Sequence, residues 1–215
     1  MAFRMTRMAS QRRQREKAQL RERLLGAARE IAVEEGWQAV TIRRIADRLE
    51  YTSPILYQHF SGKDALLWEL TEMGFREIAE RIEQALSKEG GSDAVTTIAG
   101  AYWDFAFAAP ELYHVMHGLD GVPFGTAETP ADAQRTFALC RDAVVRQAAA
   151  QGYAITDPDA IVETIWAYLH GFVTLTMGKR LVGDRERARD LMLRSLPALS
   201  IGGPHATRPG TVGEP

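Results

Sequence analysis

A chain of 215 residues, 46% of them hydrophobic, is long enough to bury a substantial core and has room for one small domain and one larger one. Its single cysteine, Cys140, excludes an internal disulfide and suits a reducing compartment, while its most apolar segment, residues 166–178, is interrupted by His170 and falls short of the roughly 20 residues of a bilayer span, so a soluble, cytoplasmic protein with no membrane partner is expected. The net charge of −2 conceals an asymmetry: residues 1–63 hold 13 Lys/Arg against 7 Asp/Glu, the remainder 13 against 21. A basic amino-terminal third can approach a polyanion that the acidic remainder would repel.

Residues 1–15, with Arg4, Arg7, Arg12, Arg13 and Arg15, and Lys17 just beyond, read as a flexible basic arm within reach of phosphate. A helix is predicted from about Glu16 to Glu35; it buries Leu24, Ala28 and Ile31 and stops at Gly36, with Trp37 folding back on its last turn. Thr41 caps a second helix in which Ile42, Ile45, Ala46 and Leu49 share the buried face and Arg43, Arg44 and Arg48 fall toward the other side. After Leu49 the pattern stops. Thr52 or Ser53 caps a third helix, Ser53 to Phe60, whose first turn accepts Pro54 without losing a hydrogen bond. Leu56 and Phe60, four residues apart, pack inward and leave Thr52, Ser53, Ile55, Tyr57, Gln58 and His59 facing a groove or its walls. Two short helices around a tight turn, the second with polar and aromatic groups at its start, form an arrangement suited to reading DNA.

Ser61 with Asp64 makes a capping-box-like start for a long helix to about Lys88, ended by Gly90 and Gly91. Ser92 caps a helix rich in aromatics (Tyr102, Trp103, Phe105, Phe107), Pro110 opens a short one ending near Gly118, and residues 121–129 form an irregular loop. Thr129-Pro130 opens a helix closed by Gly152; Asp157-Pro158 opens another that runs to about Leu181 before Gly183; Asp184 caps a final helix. From Gly202 onward, GGPHATRPGTVGEP lacks apolar periodicity, and disorder is expected. Strand signals are nearly absent, so the fold class is all-α. The expected domains are the arm at 1–15, a three-helix head with a helix-turn-helix at 16–63, a larger helical ligand-binding and dimerisation domain at 64–201, and a tail at 202–215.

In the larger domain Trp103, Phe107, Tyr113, Met116, Phe137, Trp166, His170 and Met177 are candidates to line an apolar pocket with a few polar handles, although aromatics at helical spacing more often serve the core. His114 and His117 lie one helical turn apart without a supporting ligand, so neither a metal nor a cofactor is expected. Gly171, Thr174 and Gly178 form a small-residue stripe that lets another helix approach closely, and Ala138, Val145 and Ala149 stand on the preceding helix. Two helices from each subunit would give a four-helix bundle; packing within one chain is the alternative. A phosphate-binding glycine loop, a nucleophile elbow and paired cysteines are all lacking, which argues against an enzyme.

The runs TIRRIADRL, LYQHF and SGKDALL resemble the DNA-binding head of the TetR (tetracycline-repressor) family of transcriptional regulators over about Leu24 to Leu67. The carboxyl-terminal half is similar to a subgroup with a Trp, His, Gly signature, met by Trp166, His170 and Gly171 in WAYLHG, with AAPELYHVM upstream. The resemblance implies an all-helical homodimer whose heads bind a palindromic double-stranded operator and whose bodies bind a small-molecule effector that releases the DNA, in most cases as a repressor. By position it places Thr41, Arg43 and Arg44 near the DNA backbone or groove edge, Thr52, Ser53, Pro54 and Ile55 at bases, and Tyr57, His59 and Lys63 at phosphates. Glu50 is a departure, because the family usually has glycine in that turn. A left-handed backbone would strain glutamate by about 1 kcal/mol, so a turn of different shape is expected. The alternative reading is a helical small-molecule-binding or scaffold protein with a vestigial DNA head.

Overall fold

The computed structural model describes residues 2–88, 93–118, 129–200 and 206–207, with side chains described over 10–88, 93–117 and 129–199. The helices are α1 Ala2–Glu35, α2 Ile42–Arg48, α3 Ser53–Tyr57, α4 Lys63–Lys88, α5 Ala94–Ala108, α6 Pro110–Gly118, α7 Ala131–Ala150, α8 Pro158–Met177, α9 Arg185–Ser195 and α10 Pro197–Ser200, with a 3-10 turn at Trp37–Ala39. The fold is all-α apart from β1 Ala154–Ile155 and β2 Ala206–Thr207, an antiparallel pair of two residues each. Part of the expected disordered tail is thus paired with the loop before α8. Among the described residues the chain divides into two compact units, one of residues 2–73 with 110–118, the other of 74–88, 93–109, 129–200 and 206–207. The sequence placed this boundary after Lys63. Contacts instead extend the first unit to Met73 and add α6 to it.

In the first unit, α1 begins at Ala2 rather than near Glu16. No glycine or proline interrupts residues 2–25, and these largely strong helix formers include an i,i+4 pair, Arg12 Nε to Glu16 Oε1 at 2.7 Å. Leu24, Ala28 and Ile31 are fully buried, and α1 stops where Gly36 takes φ 83°. The 3-10 turn that begins at Trp37 packs back on α1 as expected, and the Trp37 indole Nε1 donates to the Glu111 carbonyl of α6 at 3.0 Å. The Glu111 carboxylate, 7% exposed, accepts from Arg29 Nε and Nη2 at 2.9 and 2.6 Å. This largely buried pair ties a helix from the middle of the sequence onto α1.

Thr41 caps α2 by accepting from the Arg44 amide at 3.1 Å, and Ile42, Ile45 and Ala46 are buried while Leu49 is half-buried. The α2–α3 turn has the left-handed shape that Glu50 was expected to avoid. Glu50 has φ 57°, its amide bonds the Asp47 carbonyl at 3.3 Å, and the Tyr51 amide reaches back to Ala46 at 2.9 Å. This is a Schellman ending with glutamate where glycine is favoured. The third helix is shorter than predicted, ending at Tyr57 instead of Phe60. Its last turn tightens through His59 N to Leu56 O at 2.9 Å, and Arg21 Nη1 captures the His59 carbonyl at 2.5 Å. Leu56 and Phe60 are buried as expected.

In the second unit Asp93, not Ser92, caps α5, accepting from the Thr96 amide at 3.2 Å; Ser92 and the predicted loop up to residue 128 lie outside the described residues. Asp157 caps α8 and Asp184 caps α9, accepting at 3.0 and 2.8 Å. Helix α8 ends at Met177, short of the predicted Leu181, in another Schellman ending. There Lys179 has φ 54° and Arg180 N bonds Leu175 O at 2.8 Å. Gly183 before α9 takes φ 89°, a backbone conformation that L side chains rarely adopt. The short α10 follows where one final helix was expected. The sequence judged the apolar segment too short for a membrane, yet α8 is long and apolar enough to cross one by length and composition. It packs against α5, α7, α9 and α10.

Candidate nucleic-acid interface

Helix α3 is a two-faced element of five residues. Leu56 inside it and Phe60 beyond it anchor one side with 0% and 2% exposure, whereas Tyr57 on the other is 57% exposed. Thr52, Pro54 and Gln58 are exposed beside Tyr57, and Ser53 and Ile55 are half-buried at the edges. The outward face therefore offers a threonine hydroxyl, a phenol and an amide in one compact patch, a donor and acceptor set suited to base edges and phosphate oxygens. Gln58, expected with them at a groove, is exposed here.

The three arginines of α2 differ in freedom. Arg43 is 89% exposed and touches Asp47 only at 3.9 Å. Arg44 is held by Glu35 of α1 at 2.6 Å, a contact that raises its guanidinium above the ordinary value. Arg48 pairs with Glu34 and, at 3.4 Å, with Glu30. Solvent-exposed pairs of this kind are worth about 0 to 1 kcal/mol, so Arg44 can exchange Glu35 for a phosphate at little cost. Lys63, at the start of α4, donates to the Trp37 carbonyl at 3.2 Å. An ammonium has three donors, which leaves two for phosphate.

His59 departs most from its expected role. Its Nδ1 is buried without a hydrogen-bond partner, and burial, then the charges of Lys17 and Arg21, hold the imidazole below its ordinary value. A neutral ring with Nδ1 turned inward has only Nε2 for an external oxygen. Arg21, absent from the sequence-based site, organises this corner: it donates to the His59 carbonyl, pairs with Glu69 and lies 4.4 Å from the Phe60 ring centroid. Its i,i+4 relation to Lys17 was the available signal.

Of the eight candidate pocket residues, two lie in the first unit and six in the second. Tyr113 and Met116 are buried on α6, in the first unit, and the Tyr113 ring lies 4.6 Å from that of His117. The remaining six belong to the second unit. There Trp103 and Phe107, with ring centroids 4.7 Å apart, border a groove of about 570 Å³ between α5 and α9 that also presents Asp104, Arg185, Arg189 and Asp190. An adjoining cleft of about 710 Å³ is lined by Arg81, Gln84, Thr96, Gly100, Asp104 and Arg189 among others. Both have mixed polar and apolar walls. Phe137, Trp166, His170 and Met177 are half-buried and line neither of them; burial holds the His170 imidazole below its ordinary value. No group of three His, Cys, Asp or Glu that could hold a metal occurs among the described residues.

The candidate interface residues do share an outward setting. Ala138, Val145 and Ala149 on α7, with Thr174 on α8 and Gly178 at its end, are exposed, Gly171 is half-buried, and a Cβ at Gly171 would meet nothing within 4 Å. Val145 and Leu175 expose 42% and 41% of their surface.

Residues 24–70 match the family described as bacterial regulatory proteins, tetR family, and residues 95–196 match the tetracyclin repressor-like C-terminal domain. The chain is 30% identical over 90 residues, 42% of its length, to the uncharacterized HTH-type transcriptional regulator YobS of Bacillus subtilis, of which the match spans 47%. It is 27% identical over 159 residues, 73% of its length, to the uncharacterized HTH-type transcriptional regulator Rv0681 of Mycobacterium tuberculosis, covering 70% of that protein. A solved structure of a protein of unknown function from Rhodococcus sp. RHA1 superposes with a TM-score of 0.72 at 25% identity, covering 84% of this chain and 93% of that one. With a helix-turn-helix whose second helix turns a polar, aromatic face outward, and with family matches to the head and to most of the rest, the chain belongs to the tetR family of bacterial transcriptional regulators.

Proposed function

We propose that this protein is a ligand-responsive repressor of the cytoplasm that binds a palindromic operator as a homodimer and is released by a small apolar or aromatic molecule. The observation that carries the reading is the outward face of α3, with Tyr57 57% exposed over a fully buried Leu56. Thr52, Ser53, Pro54 and Ile55 read bases; Tyr57, Lys63 and the Nε2 of His59 meet phosphates; Thr41, Arg43 and Arg44 line the groove edge. Dimerisation through α7 and α8 accounts for the uncovered apolar surface around Val145 and Leu175. It sets two recognition helices about 34 Å apart, one duplex turn. The half-buried Phe137, Trp166, His170 and Met177, with Trp103 and Phe107, remain the effector candidates, and an effector that prefers the released state by about 1 to 3 kcal/mol suffices to lower DNA occupancy.

The test is a salt titration of binding to the duplex upstream of the protein's own gene. Sequence-preferring binding is expected to weaken steeply with salt, and Lys63→Ala is expected to reduce the slope of log K against log[salt] by about one, with base preferences unchanged. A protein that remains monomeric and shows no preference for any fragment of its genome at low salt would refute the reading in favour of a helical binding protein with a vestigial head. An unchanged slope in Lys63→Ala would remove only that lysine from the interface.

A further inference from the structure

We propose that α1 carries a second contact to the DNA backbone, a one-sided cationic face formed by Arg13 and Lys17 that follows the duplex outward from the segment read by α3. The proposal rests on the DNA-binding reading of α3. Arg21 fixes the orientation: its guanidinium donates to the His59 carbonyl at 2.5 Å and lies 4.4 Å from the Phe60 ring centroid, so that side of α1 is pinned to the end of the recognition segment. Successive helical residues turn by about 100° and rise by about 1.5 Å. Lys17 therefore stands one turn before Arg21, about 40° around the axis and about 6 Å along it, and Arg13 another turn out, about 80° around and about 12 Å along.

The opposite side of α1 is different. Arg12 and Arg15 fall about 180° and 120° from Arg21; Glu16 on that side pairs with Arg12 at 2.7 Å, and Arg23, farther along it, donates to the Tyr51 hydroxyl at 3.2 Å. Ser10 and Gln14, both uncharged, complete the face of Arg13 and Lys17. Every residue from 10 to 19 is exposed, so the two cations are not committed to the core. A continuous helix from Ala2 presents them in a fixed line, which lowers the ordering cost that a flexible arm would bear on contact. The partner that fits is duplex phosphate, because a polyanion with a charge every few ångströms can meet two cations about 6 Å apart along one helix face.

The experiment compares two double variants of the full-length protein on a duplex that extends at least ten base pairs beyond the operator on each side. Arg13→Gln with Lys17→Gln, which keeps helix propensity, is expected to lower the salt slope by about two and to weaken binding about tenfold at low salt. Arg12→Gln with Arg15→Gln is expected to leave both unchanged. Equal losses in the two pairs would mean that a disordered polycation, not a helical face, makes the contact, and no loss in either would mean a solvated face; each result overturns the proposal. Absence of salt-dependent binding in the unmodified protein would instead remove the DNA-binding reading itself, and the proposal with it.

Discussion

Replacing Glu50 by glycine should stabilise the protein while leaving the helix-turn-helix in place. Glu50 occupies the left-handed position of the turn between α2 and α3, with φ 57°, where an L side chain costs about 1 to 2 kcal/mol relative to the right-handed region. Glycine removes that cost but adds about 0.5 to 1 kcal/mol of unfolded-state freedom. The net expectation is a gain of about 0.5 to 1 kcal/mol, or about 1 to 4 °C in Tm for a chain of this length. Glu50→Ala is the decisive control, because it removes the carboxylate and keeps the Cβ, so it should gain nothing. Urea unfolding followed by tryptophan fluorescence reports both, provided that the m-value is unchanged. Glu50→Gly no more stable than Glu50→Ala would refute the strain argument, and Lys179→Gly, at φ 54° in the second unit, offers an independent repeat.

Thr41→Ala removes the cap that accepts the Arg44 amide at 3.1 Å and should cost about 1 kcal/mol; a thermal scan matching the parent protein would show that the cap contributes nothing. Burial, Lys17 and Arg21 depress the His59 imidazole from its ordinary 6.5, so as pH falls through that value the unfolded chain takes up the proton first. Stability is full above about pH 6.5 and declines toward the depressed value. His59→Gln should flatten this part of the stability curve, and parallel curves for the two proteins would contradict the assignment. Val145→Asp, at a site already 42% exposed, should leave the monomer folded but abolish dimers and cooperative operator binding; a dimer mass in light scattering would move the interface elsewhere.

Most helices were readable because their ends are chemically punctuated. Thr41, Asp157 and Asp184 cap as predicted, and the Leu56–Phe60 spacing correctly identified the buried side of α3. Misjudged ends had causes beyond local pattern. The third helix stops early where Arg21, 38 residues away, takes the His59 carbonyl, and α1 starts early because a basic run without breakers is also a good helix. A shape expected to exclude glutamate is tolerated at Glu50, where the backbone bonds of the turn outweigh a preference worth little more than 1 kcal/mol. The outward setting of Thr52, Pro54, Tyr57 and Gln58 was legible since it follows from a local motif. Pocket residues are harder to read, because aromatic spacing is the same whether a ring lines a cavity or fills a core: Trp103 and Phe107 border a groove, and Tyr113 and Met116 are buried on α6 in the first unit.

Grafting this reader of DNA onto a foreign effector module cannot be done by cutting the chain once. Residues 110–118 fold with the first 73, held by the Arg29–Glu111 pair and the Trp37 indole on the Glu111 carbonyl. A fragment truncated at Met73 would leave the Arg29 guanidinium without its acid and the Trp37 N–H without its acceptor. A working hybrid must therefore carry α6 from the same parent as α1, making that short helix the compatibility key in any exchange of modules.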